Sequence, residues 1–316
     1  MKRLLLAGDS GGSKTALRLL DCVGNVISEA RAAGMANAFA GVLPVRKTLA
    51  EGLEQLGQPV DSIEFAFCSV GGPNAAEVKE AFHSLLPNAE RIWVVREGKG
   101  IMQLEVARTF GASAAVLAGT GSVAYSRING VFRFSGGWGP QWDDRGSGFD
   151  LGKRALQLRL REIDGRNSPS ELAQVFVKLE DGLDLTNYDG LMALQKRVLA
   201  LTRAEVAAFA PAVFRLAKSS QTACALVAQL ADELTALACA VTPVAPEKVF
   251  NGILAAGGIF HAGEDFRQIC REKLAEKRPQ WKWLFLNDAG MLGPASYMAL
   301  KMAGIDNEAI IGGVKE

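Results

Sequence analysis

Short glycine-rich segments that also carry hydroxyl and acidic side chains recur along the chain. The first, residues 9–15, reads Asp-Ser-Gly-Gly-Ser-Lys-Thr. Adjacent glycines let a backbone turn sharply and bring N–H groups to phosphate oxygens, and hydroxyl side chains add donors. A carboxylate such as that of Asp9, at the end of a strand, suits a hydrated Mg²⁺ beside those phosphates. The predicted phosphate-binding residues of this turn are Gly11, Gly12, Ser13, Lys14 and Thr15.

Two later segments extend this pattern. Residues 119–122 (Gly-Thr-Gly-Ser) repeat the glycine turn, and two such turns facing each other across a cleft would hold a polyphosphate from both sides. Residues 255–258 (Ala-Ala-Gly-Gly) follow an apolar run, and a backbone without large side chains lets a flat nucleoside lie against it. A single Gly-Gly turn is also compatible with a plain β-hairpin, and a P-loop of the GxxxxGK[ST] type is absent. The predicted nucleotide contacts here are Gly119, Thr120, Gly121, Ser122, Gly257 and Gly258.

A fourth segment, residues 135–148, combines glycines with aromatic and acidic residues in the order SGGWGPQWDDRGSG. Exposed aromatic rings stack on sugar rings, and buried ones fill domain interfaces. For Trp138 and Trp142 the sequence leaves both roles open.

Strands and helices alternate around these segments. Apolar runs at residues 4–7, 17–21, 26–29, 64–70, 92–95, 249–254 and 283–286 predict strands. Amphipathic helices are predicted at residues 43–56, 75–86 and 293–303, and residues 150–240 are almost wholly helical in pattern. From Ala114 the order strand, glycine turn, strand begins again, followed by the hairpin dipeptide Asn129-Gly130. The pattern indicates an α/β protein with an internally duplicated core.

The composition limits the function classes. The 316 residues carry 35 Lys and Arg against 34 Asp and Glu, so no basic field is available to attract a nucleic acid or a membrane surface. No stretch of about 18 uncharged apolar residues is evident. Residues 4–7 are too short for a signal peptide core and predict a strand. The five cysteines are widely spaced without a CxxC pair, which indicates neither a zinc site nor a disulfide framework and favours a cytoplasmic location.

Taken together, these motifs resemble the BadF/BadG/BcrA/BcrD ATPase family and, within it, the N-acetylglucosamine kinases of the actin, Hsp70 and sugar kinase superfamily. The order GDSGGSKT, GTGS, GGWGPQWDDRGSG and LAAGGIF matches the family's series of motifs over nearly the whole chain. The resemblance implies a two-domain, actin-like ATPase fold, related to ribonuclease H, with an interdomain cleft. Residues 1–112 with the C-terminal helix (about 293–316) would form one domain, and residues 113–292 the other.

The resemblance also implies the ligands. ATP and Mg²⁺ would bind between the domains, and domain closure would exclude water so that a small amino sugar accepts the phosphate. The oligomeric state stays open, with a homodimer among the alternatives. The residues that would contact the sugar are Asn37, Ser135, Gly137, Trp138, Asp144 and Gly148.

Three positions depart from the family pattern. Glu97 stands where these kinases have the Asp that serves as general base, Arg145 replaces a Glu, and Ser220-Gln221 replaces a Gly-Asp pair before a nucleotide-facing helix. Glu97 would still accept a proton from a sugar hydroxyl, although it reaches one methylene further than Asp. The departures leave two alternatives: a sugar- or nucleotide-binding paralogue that has lost catalysis, and an ATPase that drives a partner protein. The iron–sulfur branch of the family is disfavoured, because no cysteine lies in a suitable glycine-rich setting.

Overall fold

A computed structural model describes residues 3–35, 41–96, 106–244, 250–288 and 290–316. The strands form two sheets, one from each half of the chain. They are β1 (Leu4–Ser10), β2 (Lys14–Asp21), β3 (Val26–Ala33), β4 (Ile63–Val70), β5 (Arg91–Arg96), β6 (Ala112–Ala118), β7 (Ser122–Ile128), β8 (Val131–Gly136), β9 (Gly252–Ala256), β10 (Lys282–Leu286) and β11 (Val314–Lys315).

The α-helices of the described residues pack on these sheets or on one another. They are α1 (Val42–Gln55), α2 (Ala75–Leu85), α3 (Val106–Thr109), α4 (Gly148–Ile163), α5 (Val177–Glu180), α6 (Tyr188–Leu199), α7 (Arg203–Ala207), α8 (Ala210–Leu216), α9 (Gln221–Val241), α10 (Glu264–Lys277) and α11 (Leu292–Met302).

The two sheets share one arrangement. The first has the strand order β3-β2-β1-β4-β5, in which β1 to β3 are antiparallel and β4 and β5 run parallel to β1. The second, read from its other edge, is β8-β7-β6-β9-β10-β11, with the same antiparallel trio followed by two parallel strands. The mixed α/β fold with two sheets of the actin-like type, predicted from the sequence, is thus confirmed. The glycine turns lie at equivalent places, between β1 and β2 and between β6 and β7.

Burial explains why the central strands carry almost uninterrupted apolar runs. Every residue of β6 and of β9 is buried, and so is nearly all of β1, because helices cover both faces of the parallel part of each sheet. Strand β2 lies closer to an edge, and its buried and half-buried residues largely alternate. Between β7 and β8, Asn129 and Gly130 both have positive φ, as the predicted two-residue hairpin turn requires. The central strands therefore form a rigid base for the turns that follow them.

Some predicted elements differ in detail. The third glycine segment begins later than expected, since Ala255 and Ala256 are the last residues of β9 and the chain turns only at Gly257. Within the largely helical pattern of residues 150–240, the apolar run around Pro211 is divided into α7 and α8, with Pro211 in the first turn of α8, where a missing N–H costs no hydrogen bond. Strand β11 was not anticipated, because its two residues gain their strand partner only from β10.

Helix α9 corrects the expectation that no segment is apolar enough to cross a bilayer. It has 21 residues and a mean hydropathy of 1.6, and length and composition alone would allow it to span a membrane. Its apolar residues pack in the core of the second half against β6, β7 and β8, and its acidic Asp232 and Glu233 pair with Lys273 and Arg154. The apolar composition of α9 is accounted for by its place in this core.

The C-terminal segment contacts both halves. Helix α11 packs its apolar face on β1 and β4 of the first sheet, together with Leu5, Ala7 and Phe67. Further on, β11 pairs with β10 at the edge of the second sheet, with Phe285 opposite Lys315. After α11, which packs on the first sheet, the chain therefore continues to the second sheet through β11. The domain boundaries stay a prediction.

Candidate functional site

The turn between β1 and β2 is a tight hairpin whose tip is exposed. The Gly11 N–H donates to the Lys14 carbonyl over 2.9 Å, and Gly12, Ser13 and Lys14 are exposed at the tip. Gly34 lies directly behind this tip, and an ideal Cβ on Gly34 would overlap the backbone of Gly11 and Gly12. Two backbone segments thus meet without a side chain between them, which fixes the shape of the first turn.

The hydroxyl of Thr15 faces away from this tip. Thr15 is buried, and its Oγ1 donates to the Ala33 carbonyl at 2.7 Å and lies 2.8 Å from the Ser10 Oγ. Here the hydroxyl proton is held by the Ala33 carbonyl, and the phosphate contact expected of Thr15 stays a prediction. Its contacts hold β2, β1 and β3 together at the base of the turn.

Asp9, at the carboxyl end of β1, is held at both carboxylate oxygens. Ser69 Oγ, on the neighbouring β4, donates to Oδ1 at 3.0 Å, and the Met291 N–H donates to Oδ2 at 3.1 Å. Met291 is the residue that precedes α11, so a helix N-terminus faces this carboxylate. Both contacts orient the carboxylate at the place where the sequence predicts a metal ligand. Ser69 and Met291 are 60 and 282 residues away from Asp9 in the chain, and sequence reasoning did not identify them.

The second turn, between β6 and β7, meets the first. Ser13 Oγ lies 3.2 Å from Thr120 Oγ1, although 107 residues separate them in the chain. The Gly119 N–H donates to the Gly121 carbonyl at 2.9 Å, which closes the second turn. The two glycine turns predicted from the sequence to face each other are therefore brought together by the fold.

Ser122 does not present its hydroxyl to the cleft. Its Oγ donates to the Arg145 carbonyl, and its N–H donates to Asp144 Oδ1 at 3.4 Å. The phosphate contact expected of Ser122 stays a prediction. Ser122 instead joins β7 to the segment that carries Asp144.

Asp144 is buried under the second turn and paired with Arg203. Only 3% of Asp144 is exposed, and its Oδ2 accepts a hydrogen bond from Arg203 Nη2. Asp144 has a φ of +61°, which is uncommon for a residue other than glycine. An ideal Cβ on Gly121 would overlap Arg203 Nη2 and come within 2.9 Å of Asp144 Oδ1. Burial raises the pKa of Asp144 above its usual value, against the opposing effects of the Arg203 charge and the Ser122 N–H.

Arg145, the predicted charge reversal, faces another direction. Its Nη1 lies 3.5 Å from Asp150 Oδ1 and its Nε lies 3.6 Å from Glu233 Oε1, beside Arg154, which binds the same two carboxylates. The positive charge at position 145 is thus matched by acidic residues of α4 and α9. The side chain that neighbours Asp144 in the sequence does not share its contacts.

The start of α4 lies against the second turn. The Gly148 N–H donates to the Gly119 carbonyl at 2.8 Å, and Ser147 caps the helix by accepting from the Asp150 N–H at 3.1 Å. The same helix approaches α7 closely, since an ideal Cβ on Gly152 would overlap the Val206 carbonyl oxygen. Gly148 therefore lies at the site, and its observed contact is through the backbone.

The aromatic part of the fourth segment is exposed beside this turn. Trp138 and Trp142 are 69% and 84% exposed, and the Trp138 ring lies 6.1 Å from that of Phe134. Gly137 has a φ of +73°, and an ideal Cβ on it would lie 3.1 Å from Val123, next to the second turn. Ser135 pairs with Ala124 at the end of β8. The exposure of both tryptophans means that neither fills a domain interface in this conformation.

The third glycine segment lies next to the second turn. Gly257 has a φ of +105°, and an ideal Cβ on it would overlap the Ala118 carbonyl oxygen, so only glycine fits. Gly258 is exposed, with open space where a Cβ would be. Ser220, expected near the nucleotide, is buried: it caps α9 by accepting from the Ala223 N–H and donates to Glu171. Of the two residues that depart from the family pattern here, Ser220 has a structural role as the N-cap of α9.

Two predicted site residues, Asn37 and Glu97, lie outside the described residues. The neighbouring Arg96 ends β5 and is exposed, with its Nε 3.4 Å from the Gly72 carbonyl oxygen. The roles of Asn37 and Glu97 stay predictions.

The arrangement fits a nucleotide and a divalent cation. Asp9 offers an oriented carboxylate, and Mg²⁺ is usually held by one or two carboxylates together with water and phosphate oxygens. Within the described residues no group of three or more His, Cys, Asp or Glu side chains is arranged to hold a metal ion, so this cation would rely on Asp9 and the phosphates. The exposed tips of both turns offer glycine backbone and the Ser13 and Thr120 hydroxyls to phosphate oxygens.

Comparisons with known proteins agree with this fold. The chain is 28% identical over 208 residues to an N-acetylmuramic acid/N-acetylglucosamine kinase of Clostridium acetobutylicum. The matched region covers 62% of this chain and 67% of that protein. Among solved structures, a presumptive N-acetylglucosamine kinase of Chromobacterium violaceum superposes with a TM-score of 0.70 at 25% identity, over 96% of this chain and 99% of that one. A ROK family glucokinase of Streptomyces griseus, in complex with glucose and AMPPNP, superposes with a TM-score of 0.58 at 20% identity, over 95% and 99% of the two chains.

The family profile that matches the sequence extends from the metal-binding candidate Asp9 to residue 282, across both glycine turns and the helical region between β8 and β9. This match covers most of the chain. The protein belongs to the BadF/BadG/BcrA/BcrD ATPase family.

Proposed function

We propose that the chain is an ATP-dependent kinase that transfers the γ-phosphate to a hydroxyl of N-acetylglucosamine or a related amino sugar. The observation that carries the proposal is the contact between Ser13 and Thr120, which places two glycine turns on one site beside the oriented carboxylate of Asp9. The relatives from Clostridium acetobutylicum and Chromobacterium violaceum, both described as kinases of amino sugars, support it.

The residues have distinct roles in this proposal. The two turns hold the phosphate chain, Asp9 orders the cation, and Gly257 and Gly258 leave room for the nucleoside. Asp144 accepts a hydrogen bond from the sugar, and the exposed Trp138 of the same segment lies against the sugar ring. Bound ATP supplies the phosphoryl group, and Mg²⁺ offsets negative charge on the phosphates. Closure of the two halves around the ligands excludes water, which favours transfer to the sugar over hydrolysis.

Glu97 is the proposed general base that takes the proton of the attacking hydroxyl. Of the three departures from the family pattern, two now have structural partners: Arg145 pairs with Asp150 and Glu233, and Ser220 caps α9. These contacts favour an active enzyme over the impaired paralogue. Glu97 in place of Asp is the departure that bears on catalysis.

A coupled assay of ADP release over a panel of hexoses, hexosamines, N-acetylhexosamines and muramic acid derivatives tests the proposal. We expect release that depends on both Mg²⁺ and an N-acetylated amino sugar. Glu97→Gln should abolish turnover while sugar affinity, measured by calorimetry, stays close to the wild-type value.

The same assay separates the alternatives. Binding of ATP and sugar without sugar-stimulated ADP release would support a binding paralogue. ADP release that needs no sugar would support an ATPase that acts on a partner protein. Turnover that survives in Glu97→Gln would show that Glu97 is not the base.

A further inference from the structure

The Asp144–Arg203 pair is the strongest feature of the site that the family resemblance did not supply. Asp144 comes from the loop before α4, and Arg203 is the first residue of α7, 59 residues later in the chain. The pair lies against the second glycine turn, because an ideal Cβ on Gly121 would overlap the guanidinium. A residue of the helical region therefore reaches the centre of the candidate site.

The left-handed backbone of Asp144 needs support. A side chain with a Cβ adopts a positive φ at a cost of about 1–3 kcal/mol, and such residues persist where surrounding contacts hold them in place. Here Oδ1 accepts from the Ser122 N–H, Oδ2 accepts from Arg203, and the Asp144 carbonyl accepts from the Ser147 N–H at 3.2 Å. Arg203 supplies the charged contact among these three.

Arg203 is itself held by a rigid support. Thr202 and Glu205 form a reciprocal capping box at the start of α7, in which the Thr202 N–H donates to Glu205 at 2.7 Å and the Glu205 N–H donates to Thr202 Oγ1 at 3.2 Å. Behind it, Gly152 lets the Val206 carbonyl approach the backbone of α4 without a side chain between them. The backbone from which the Arg203 side chain extends is thus fixed by packing on both sides.

The placement of the Arg203 guanidinium beside Asp144 leaves one of its donors without an acceptor in the described part of the chain. The Nε of Arg203 is buried, and no partner for it is found within the described residues. A buried donor without an acceptor costs about 1–3 kcal/mol. An arginine that served only to stabilise the fold would gain more from a geometry that satisfies all its donors.

We propose that Arg203 is a positioning residue for acceptor binding, which holds the carboxylate of Asp144 against Gly121 so that it accepts a hydroxyl or amide hydrogen bond from the sugar. This inference rests on the proposed function for the sugar contact of Asp144. The conformation and charge of Asp144 depend on Arg203 whether or not the sugar is the one proposed.

The charges around Asp144 make this dependence measurable. Burial raises the pKa of Asp144, the neighbouring carboxylates of Asp143 and Asp150 raise it further, and Arg203 is the cation that lowers it. Removal of the Arg203 charge leaves burial and two acidic neighbours. Asp144 should then take up a proton at a higher pH, and a protonated carboxyl accepts a hydrogen bond more weakly.

The test compares Arg203→Gln and Arg203→Lys with the wild type. We expect Arg203→Gln to lower kcat/KM for the sugar by about tenfold or more, mainly through KM for the sugar, with KM for ATP changed less. The acidic limb of the pH profile of kcat/KM should move to higher pH. Lysine keeps the charge but loses the planar donor geometry, so Arg203→Lys should restore the position of this limb and only part of the affinity.

A second measurement does not depend on activity. Aspartate labelled with ¹³C at the side-chain carboxyl reports each titration by NMR, and the signal missing from Asp144→Asn identifies Asp144. Its titration should occur at higher pH in Arg203→Gln than in the wild type. The matched control is Arg145→Gln, because Arg145 neighbours Asp144 in sequence but faces Asp150 and Glu233, and there the Asp144 titration should stay in place.

An Arg203→Gln protein with the wild-type titration of Asp144 would overturn the proposal, and so would an Arg203→Lys protein that titrates like Arg203→Gln. If Arg203→Gln does not fold, the comparison of Arg203→Lys with the wild type decides by the same titration. A wild-type protein that phosphorylates none of the sugars would contradict the proposed function alone. The NMR titration would then still decide whether Arg203 controls the charge of Asp144.

Discussion

The two glycine turns occupy equivalent places in the two sheets, but different interactions support them. The first is held by neutral contacts: backbone packing of Gly34 on Gly11 and Gly12, and the Ser10 and Thr15 hydroxyls at its base. The second is held by buried charge, because Asp144 and Arg203 lie directly under Gly121. The duplicated topology therefore determines the positions of the two turns. The residues around each turn determine which changes in pH or sequence alter its conformation. We expect the second turn to respond to pH through the buried carboxyl of Asp144.

The largest effect should come from Asp9, the carboxylate that accompanies the first turn and has no counterpart in the strand before the second. Asp9→Asn should lower kcat by about a hundredfold or more, because an amide holds a divalent cation poorly. Steady-state ADP release at several Mg²⁺ concentrations measures this loss. Asp61→Asn is the control, since Asp61 lies at the other end of the first sheet and bonds Asn88. Full activity of Asp9→Asn with an unaltered Mg²⁺ requirement would exclude Asp9 as the metal ligand.

The neutral support of the first turn is tested by Gly34→Ala. The added methyl group would meet backbone atoms, which cannot move aside, so the free energy of unfolding should fall by about 1–3 kcal/mol, with a rise in KM for ATP. Gly41→Ala is the matched control, because no atom lies within 4 Å of its ideal Cβ and its φ of −71° suits alanine. Gly41 is the N-cap of α1, where alanine is less favourable than glycine, so chemical denaturation should place Gly41→Ala within about 1 kcal/mol of the wild type. Equal stability of the two variants would show that the first turn tolerates a side chain behind it.

Gly121→Ala makes the corresponding change at the second turn, where the added methyl group meets the end of a long side chain. The Arg203 guanidinium can shift, whereas the buried Asp144 carboxylate, whose Oδ1 lies 2.9 Å from the ideal Cβ, is held in place. The expected loss in free energy of unfolding is about 1 kcal/mol, smaller than for Gly34→Ala, where the nearest atoms are all backbone. Displacement of Arg203 should raise KM for the sugar more than KM for ATP. Denaturation and steady-state kinetics on the two alanine variants give the comparison, and a larger stability loss at position 121 would contradict it.

The smallest effect is a pH dependence of stability at the second turn. Because burial raises the pKa of Asp144 above its usual value of 3.8, the folded protein binds this proton more tightly than the unfolded chain does. The stabilisation from this carboxyl is therefore fully present below about pH 3.8 and is lost as the pH rises through the raised value. Asn suits the positive φ and has no charge, so the difference in free energy of unfolding between wild type and Asp144→Asn should fall with rising pH. A difference that is constant across this range would contradict the assignment.

The sequence was sufficient for the parts of the site that depend on local pattern. The glycine turns, the strand that carries Asp9 and the Asn129-Gly130 hairpin follow from residues that are adjacent in the chain. Buried strands need apolar runs, glycine lets backbone segments approach closely, and the two-residue hairpin needs the positive φ that Asn129 and Gly130 adopt. The directions of the Thr15 and Ser122 hydroxyls were not predictable in this way. A hydroxyl serves a turn or a ligand equally well until its tertiary neighbours are known.

The missed residues share one property, which is a partner far away in the chain. Arg203 carries no motif, and only the packing of α7 on Gly152 brings it to Asp144. Ser69 resembles any serine at the end of a strand until β4 pairs with β1 and places it beside Asp9. A charged residue at the start of a short, capped helix was the signal available for Arg203, and many helices have one.

Because Trp138 and Trp142 are exposed, intrinsic tryptophan fluorescence can report on ligand binding without an added label. Both rings are open to a water-soluble quencher such as iodide, whereas Trp281 and Trp283 are sealed in the core of the second half. Trp93, on the first sheet, is partly exposed and adds a background fluorescence signal from outside residues 135–148. Quenching by iodide therefore divides the fluorescence of one sample into an accessible and a shielded fraction. The accessible fraction should fall when a ligand covers residues 135–148, and the shielded fraction should fall only when the core unfolds.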